Sequence, residues 1–346
     1  MEGANKVSQK RGNNAMNKQR VIIFLLSGIA SLPLIATASQ FQTDTAQVVT
    51  YSHDFSTWSI PTSVGGTTWF DDWNKIYWIN IASGGSGSAY ADLTVNGTVV
   101  GTTTAGATIY QTSNPGIGIA YQLNFSTPED TTPNLAIAAP YTLTFPAGLS
   151  KSGYLHIKYE LVRLTEQIPP GPLVAVPDVT LNYHNPPGST YSDKSFLARS
   201  GISSQPTMMP CTINAPKEVN LATLYGGNAV NGTQLATPIP TIKLTNCPGA
   251  ITGISYKFSA LYGTHGSVDG VMNGETGTGY AQGVYVQFQN PDGSGFGQFN
   301  NNFALNYIGS GDYTIPEYKV AYYIDDVNSI TTGQVKSALQ FTVQYN

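Results

Sequence analysis

The stretch ALQFTVQYN, residues 338–346, decides what kind of structure the end of the chain adopts. Apolar residues occupy every second position and polar residues lie between them; the apolar ones are Leu339, Phe341, Val343 and Tyr345. This period of two is typical of a β-strand with one buried face. Chain ends fray unless something holds them in place. The stretch therefore predicts a terminal strand and raises the question of what covers its outer edge.

The composition predicts that the rest of the chain is β-structure as well. Only 10% of the 346 residues are charged, whereas the chain contains 36 glycines, 21 prolines and 21 tyrosines. Segments rich in Val, Ile, Thr and Tyr, separated by Gly, Pro and Asn, indicate many short strands joined by turns. We predict an all-β protein that is long enough for two domains.

Residues 1–38 have the pattern of a secretory signal peptide, and we predict cleavage after Ala38. Lys18 and Arg20 precede the apolar segment 21–35, and small residues follow it. A membrane anchor is the alternative, but the apolar segment is shorter than the roughly 20 residues that a span needs. Met16 would begin a signal peptide of ordinary length, which makes residues 1–15 surplus; Met1 is the alternative start.

Removal of this segment changes the charge of the chain. It takes away five of the 16 basic residues and one of the 20 acidic ones, which leaves 11 basic and 19 acidic residues, a net charge of −8. That balance argues against nucleic acid or an anionic membrane as a partner. Export also exposes thiols to oxidation, so we expect Cys211 and Cys247, the only cysteines, to form a disulfide. Two buried thiols are the alternative.

The mature chain divides into two parts, and we predict one β-sandwich in each. Residues 39–205 contain all four tryptophans and no cysteine, residues 206–346 contain both cysteines, and SSQPTMMP at 203–210 lies at the boundary. The second sandwich has the strand spacing of a small Greek-key domain. The predicted strands are 75–81, 89–95, 117–125, 140–145, 154–164 and 178–183, then 240–247, 253–261, 283–289, 318–324 and the terminal stretch.

The sequence gives little support for a catalytic or metal-binding site, and we predict that the protein is not an enzyme and binds no metal or cofactor. The four histidines show no i,i+2 or i,i+4 pair of the kind that metal sites use; they are His53, His156, His184 and His265. No GxSxG motif is present. Glycoside hydrolysis uses two carboxylates, for which Asp71–Asp72 and Glu129–Asp130 are the nearest candidates. Adjacent acids are more often solvated loop residues.

The segment GGTTWFDDWNKIYW, residues 65–78, is the sharpest candidate for a binding site. Saccharides present apolar C–H faces and hydroxyl groups, so their sites combine an aromatic plate with carboxylate and amide acceptors. Six consecutive residues supply all three, namely Trp69, Phe70, Asp71, Asp72, Trp73 and Asn74. Weaker candidates are Asp92, Asn96 and the acidic loop at Glu129 and Asp130. The alternative is a core position for Trp73 and Trp78 and a plain turn at Asp71–Asp72.

Four features of the second half occur together: Cys211 before the first strand, Cys247 at the end of the second, the turn at Thr332–Gly333 and the penultimate Tyr345. In this combination the second half resembles the pilin domain of chaperone–usher fimbrial subunits. The first half contains NPGIGIAY (114–121), TFPAGL (144–149) and YELVRLTEQIPPGPL (159–173). Through these segments it is similar to the receptor-binding domains of two-domain tip adhesins, although it lacks the disulfide that many such domains have.

The resemblance implies that the second sandwich is an incomplete immunoglobulin-like pilin domain that lacks its last strand. A periplasmic pilus chaperone would fill the resulting groove, and the donor strand of the next pilus subunit would then replace it. The implied contact residues are Leu339, Phe341, Val343, Tyr345 and Asn346, with the Asn346 carboxylate held by basic chaperone residues. A terminal strand paired inside a complete barrel is the alternative.

The implied function is that of a fimbrial tip adhesin, exported through the periplasm and the outer-membrane usher to the fimbrial tip. Its expected receptor is a host glycan or glycoprotein. The tip position is expected because residues 39–205 stand where ordinary subunits carry the alternating extension that they donate. A structural fimbrial subunit without receptor binding and a secreted polysaccharide-active enzyme are the alternatives.

Overall fold

The computed structural model describes residues 38–70, 76–83, 87–127 and 134–346, without the side chains of 68–70 and 134. Within these ranges the chain forms 23 β-strands. Two 3₁₀ turns, Gly226–Asn228 and Val327–Ser329, are the helical elements of these ranges. Within them, no helix is long and apolar enough to cross a membrane. The all-β prediction is confirmed.

The first half forms two sheets. Its strands are β1 (Ser39–Phe41), β2 (Tyr51–Asp54), β3 (Thr67–Phe70), β4 (Ile76–Ser83), β5 (Ala89–Asn96), β6 (Val99–Thr102), β7 (Thr108–Gln111), β8 (Ile117–Ser126), β9 (Asn134–Ala136), β10 (Tyr141–Phe145), β11 (Lys151–Arg163), β12 (Asp178–His184) and β13 (Lys194–Ser204). One sheet has the order β1-β4-β11-β8-β7-β6, with β3 on β11 and β9 on β8, and the other has the order β10-β5-β12-β13-β2.

One apolar core lies between these two sheets. Strand β10 alternates buried and exposed residues, as expected for a sheet with one solvated face. Strand β8 is buried along nearly its whole length, because a second, smaller apolar cluster around Ile109, Ala120 and Val162 packs against its other face. Aromatic rings from both sheets meet in the main core, for example Phe41 and Tyr183 with ring centroids 5.2 Å apart. This is the predicted sandwich.

The second half contains three sheets. Its strands are β14 (Thr212–Asn214), β15 (Gly232–Pro238), β16 (Lys243–Cys247), β17 (Ile254–Ala260), β18 (Val271–Met272), β19 (Val284–Gln289), β20 (Phe303–Ala304), β21 (Gly311–Thr314), β22 (Lys319–Ile324) and β23 (Leu339–Tyr345). The sheet orders are β14-β16-β21, β15-β22-β19-β18 and β20-β17-β23.

A separate apolar core and a disulfide hold the second half together. Phe258 lies at the centre of that core, with ring centroids of Phe288 and Tyr318 each 4.9 Å away. Cys211 and Cys247 are bonded, as predicted, and the bond joins the chain just before β14 to the end of β16. Closing a loop of this length stabilises the fold by about 4 kcal/mol in the chain-entropy account.

The two sandwiches touch through backbone hydrogen bonds. Gly171 N donates to Ile251 O at 2.9 Å, and Ala250 N donates to Pro169 O at 3.1 Å. Ile168 packs directly on Gly249, where an added Cβ would come within 2.4 Å of the Ile168 Cβ, so the approach requires glycine. The described residues from 38 to 346 therefore form one compact body. The domain boundary between residues 205 and 206 stays a prediction.

Candidate functional site

Strand β23 lies at the end of its sheet. It pairs antiparallel with β17 along its whole length, from Ile254 opposite Tyr345 to Ala260 opposite Leu339. On its other edge no strand of the described residues pairs with it. The backbone N–H and C=O groups of such an edge are available to another strand. The predicted terminal strand is therefore present, with a free edge.

The apolar residues of β23 are only partly buried. Leu339, Phe341, Val343 and Tyr345, here called the β23 face, pack against the core of the second sandwich, yet each keeps some solvent exposure. The neighbouring strand differs, because Tyr256 and Phe258 on β17 are 5% and 1% exposed. The Phe341 ring lies 5.2 Å from that of Phe258 by centroids. The core is thus covered over β17 and open over β23.

Hydrogen bonds within the chain hold the end of β23 in place. Asn346 O accepts hydrogen bonds from Thr252 N at 2.8 Å and Gly253 N at 3.3 Å, and Asn346 N donates to Gly253 O at 2.9 Å. The Tyr345 hydroxyl accepts from Cys211 N at 2.7 Å. These contacts hold β23 in register without a strand on its free edge. The predicted contact between Asn346 and basic chaperone residues stays a prediction.

The predicted saccharide-binding loop falls largely outside the described residues. Strand β3 ends with Phe70 opposite Tyr159, and β4 begins with Ile76 opposite His156. The backbone of Trp69 pairs with Glu160 of β11. The side chains of residues 69 and 70 lie outside the described part, and so do the whole of Asp71, Asp72, Trp73 and Asn74. This site stays a prediction, with both its ends anchored beside β11.

Glu160 is a buried carboxyl on the outer face of β11. It is 1% exposed, and its Oε2 has no hydrogen-bond partner in the described part of the chain. Burial raises the pKa of Glu160 to about 7, although a hydrogen bond with Thr67 acts in the opposite direction. The opposite residue on β8 is Ala120, which belongs to the small apolar cluster. A buried carboxyl group with a raised pKa thus lies beside the backbone of Trp69, at one end of the predicted loop.

The histidines do not converge on a metal site. His53 is buried between the Tyr121 hydroxyl at 3.1 Å and Gly201 O at 3.0 Å, whereas His265 lies in the second sandwich against Asp325. Among the described residues, no group of three or more potential ligands comes together.

Comparison with known proteins finds similar solved structures, but no family model and no curated protein matches the chain. The CupB6 tip adhesin from Pseudomonas aeruginosa is 17% identical, with a TM-score of 0.42, over 89% of this chain and 94% of that one. A chaperone–tip adhesin complex of CFA/I fimbriae biogenesis is 13% identical, with a TM-score of 0.26, over 87% and 97%. A chaperone–usher pilus structure is 17% identical, with a TM-score of 0.31, over 46% and 99%. All three come from pilus or fimbrial systems; at these TM-scores they establish no function for this chain.

Proposed function

We propose that this chain is the tip adhesin of a chaperone–usher fimbria, anchored to the pilus by a donor strand from the next subunit. The observation that carries the proposal is β23, a strand with a free edge and four partly exposed apolar side chains over an otherwise covered core. An added strand would satisfy the free backbone groups of that edge and cover these side chains. This is β-augmentation, in which backbone bonds supply affinity and alternate side chains fix the register.

The energy available from such a strand is considerable. Full burial of a Leu, Val or Phe side chain contributes roughly 1.5–3 kcal/mol relative to full exposure. The side chains of the β23 face are already half-buried, so each has only part of that gain left, and together they offer several kcal/mol. A periplasmic chaperone would supply the strand first and the next pilus subunit would replace it, while the usher exports the chain to the cell surface.

The tip position is supported by residues 205–207, which lie where an ordinary subunit carries its donated extension. The Thr207 amide donates to Trp58 O, the Thr207 hydroxyl donates to Ser56 O at 2.8 Å, and the Gln205 side chain donates to Leu173 O. These bonds hold the segment on the first sandwich, and it has no apolar alternation. Such a subunit accepts a strand and has none to give, and its first sandwich would then bind the receptor, a host glycan or glycoprotein.

A donor peptide tests this proposal. We expect a peptide of alternating apolar and polar residues, fused through a flexible linker after Asn346, to raise the yield and the melting temperature of the full chain. The matched control is the same fusion with the peptide sequence scrambled, so that composition and linker stay constant. A chain that is equally stable with both fusions would be self-contained, and the proposal would be wrong.

A further inference from the structure

A compact polar and aromatic cluster lies on the outer face of the five-stranded sheet. Strand β5 turns Ala91 and Leu93 into the core, and β12 does the same with Leu181 and Tyr183. The alternate residues therefore lie on the opposite face. In the register of the two strands, Tyr90 is opposite His184 and Asp92 is opposite Asn182. These four residues, here called the Tyr90 cluster, are direct neighbours.

Contacts within and next to the Tyr90 cluster order its imidazole, carboxylate and amide groups. The rings of Tyr90 and His184 are stacked, with centroids 4.2 Å apart and planes within 15°. Asp92 places Oδ2 2.7 Å from His184 Nε2 and accepts from Asn182 Nδ2 through Oδ1 at 2.8 Å. The Ser195 hydroxyl donates to Asn182 Oδ1 at 2.6 Å. The groups are thus ordered before any ligand arrives, which lowers the cost of binding.

The cluster is open to solvent. Tyr90 is 39% exposed, and the His184 and Asp92 side chains are 30% and 21% exposed. Exposed threonines of β10, Thr142 and Thr144, are the residues opposite Asp92 and Tyr90 on the far side of β5. Exposed ion pairs contribute at most about 1 kcal/mol to stability, so stabilisation of the sheet accounts poorly for this degree of order.

This combination fits the chemistry of a sugar ring. The Tyr90 ring stacks on His184 with one face. Its other face can pack against the apolar C–H face of a saccharide. The Asp92 carboxylate and the hydroxyls of the two threonines are placed to bond sugar hydroxyls along the edge of that ring. A second carboxylate, Asp193, lies 3.4 Å from His184 Nδ1 through Oδ2. Two carboxylates in this position disfavour sialylated and other anionic sugars.

We propose that the Tyr90 cluster binds a neutral saccharide. The inference rests on the proposed function only in that an adhesin has a receptor, and it assigns that receptor to a sheet face instead of the loop at residues 69–74. The cluster lies on β5 and β12, whereas the loop joins β3 to β4. Substitutions at one location can therefore be tested independently of the other.

The test uses the full chain fused to the donor peptide and a printed array of neutral and sialylated oligosaccharides. The variants are Tyr90→Ala and Asp92→Asn, and the controls are Tyr225→Ala and Asp44→Asn, whose residues are also exposed. We expect the parent and the controls to bind neutral glycans. Loss of the ring or of the carboxylate should weaken binding of the best glycan about tenfold and leave the melting temperature unchanged.

Each outcome decides the question. Equal binding by Tyr90→Ala, Asp92→Asn and the parent would overturn the proposal, and so would a parent that binds no neutral glycan or prefers sialylated ones. If only Asp71→Ala and Asp72→Ala lose binding, the loop is the site and the cluster is a structural network. The melting temperatures of the same fusions report on the donor strand separately. If glycan binding depends on Tyr90 but the donor peptide does not raise the melting temperature, the saccharide site is supported and the fimbrial proposal is wrong.

Discussion

Replacing Glu160 by glutamine should make the first sandwich more stable at high pH and leave it little changed at low pH. The folded chain holds this carboxyl at a pKa of about 7, against 4.5 when it is unperturbed. The folded state therefore binds more protons than the unfolded state between these values. A raised carboxyl pKa gives stability that is fully present below pH 4.5 and is lost as the pH rises through 7. Glutamine keeps the shape and the acceptor for Thr67, but it cannot ionise.

The magnitude follows from the difference between the two pKa values. One pKa unit corresponds to about 1.4 kcal/mol, so ionisation of Glu160 in the folded state costs up to about 3 kcal/mol. Relaxation around the charge reduces this cost, and we expect the advantage of Glu160→Gln over the parent to grow by about 1–3 kcal/mol between pH 5 and pH 8.

Urea unfolding at pH 5, 6, 7 and 8 measures this advantage. All four tryptophans lie in the first half of the chain, so their fluorescence follows the unfolding of that sandwich. The matched control is Glu317→Gln, since Glu317 is exposed, and its difference from the parent should not change with pH. If the Glu160→Gln difference is equally constant, Glu160 ionises in the folded chain without cost and the burial argument is wrong.

Two further predictions concern the second sandwich. Phe341→Asp should abolish stabilisation by the donor peptide and capture by the cognate chaperone, because it puts a charge into the β23 face. The control is Gln340→Asp, on the exposed side of the strand, which should retain both. Melting temperature reports the stabilisation, and co-purification reports the capture. Cys211→Ser should lower the free energy of unfolding of the second sandwich by about 4 kcal/mol, measured by calorimetry, and an unchanged transition would mean that the disulfide adds no stability.

Alternation in the sequence predicts the strands that have one solvated face. Residues 140–145 were expected as a strand and form β10 at Tyr141–Phe145, and the terminal stretch forms β23. The sequence does not predict strand β13, Lys194–Ser204, because apolar and polar residue types do not alternate along it. It contains the buried Arg199 and a glycine at positive φ, Gly201, and its register to β2 shifts near these residues. Its existence depends on its neighbours in the sheet, which a single sequence does not reveal.

The candidate sites also differ in whether the sequence alone predicts them. The β23 face could be predicted because all four residues belong to one strand with period two. The Tyr90 cluster could not, although Asp92 was noted, because it joins residues near 90 to residues near 184 through the register of two strands. The pKa of Glu160 was also beyond the sequence, because it depends on which side of β11 is covered and by what.

The contact between the sandwiches has a mechanical consequence for a fibre held at both ends. If a receptor holds the first sandwich and a donor strand holds the second, tension passes through the segment around residues 168–171 and its partners at 249–253. Two backbone hydrogen bonds join these two segments, and a third runs from Ser310 N to Ile168 O at 2.8 Å. Residues 252 and 253 also bond Asn346, next to β23. The load on a donor strand is therefore delivered beside the junction itself, and the covalent link at residues 205–210 does not carry it alone.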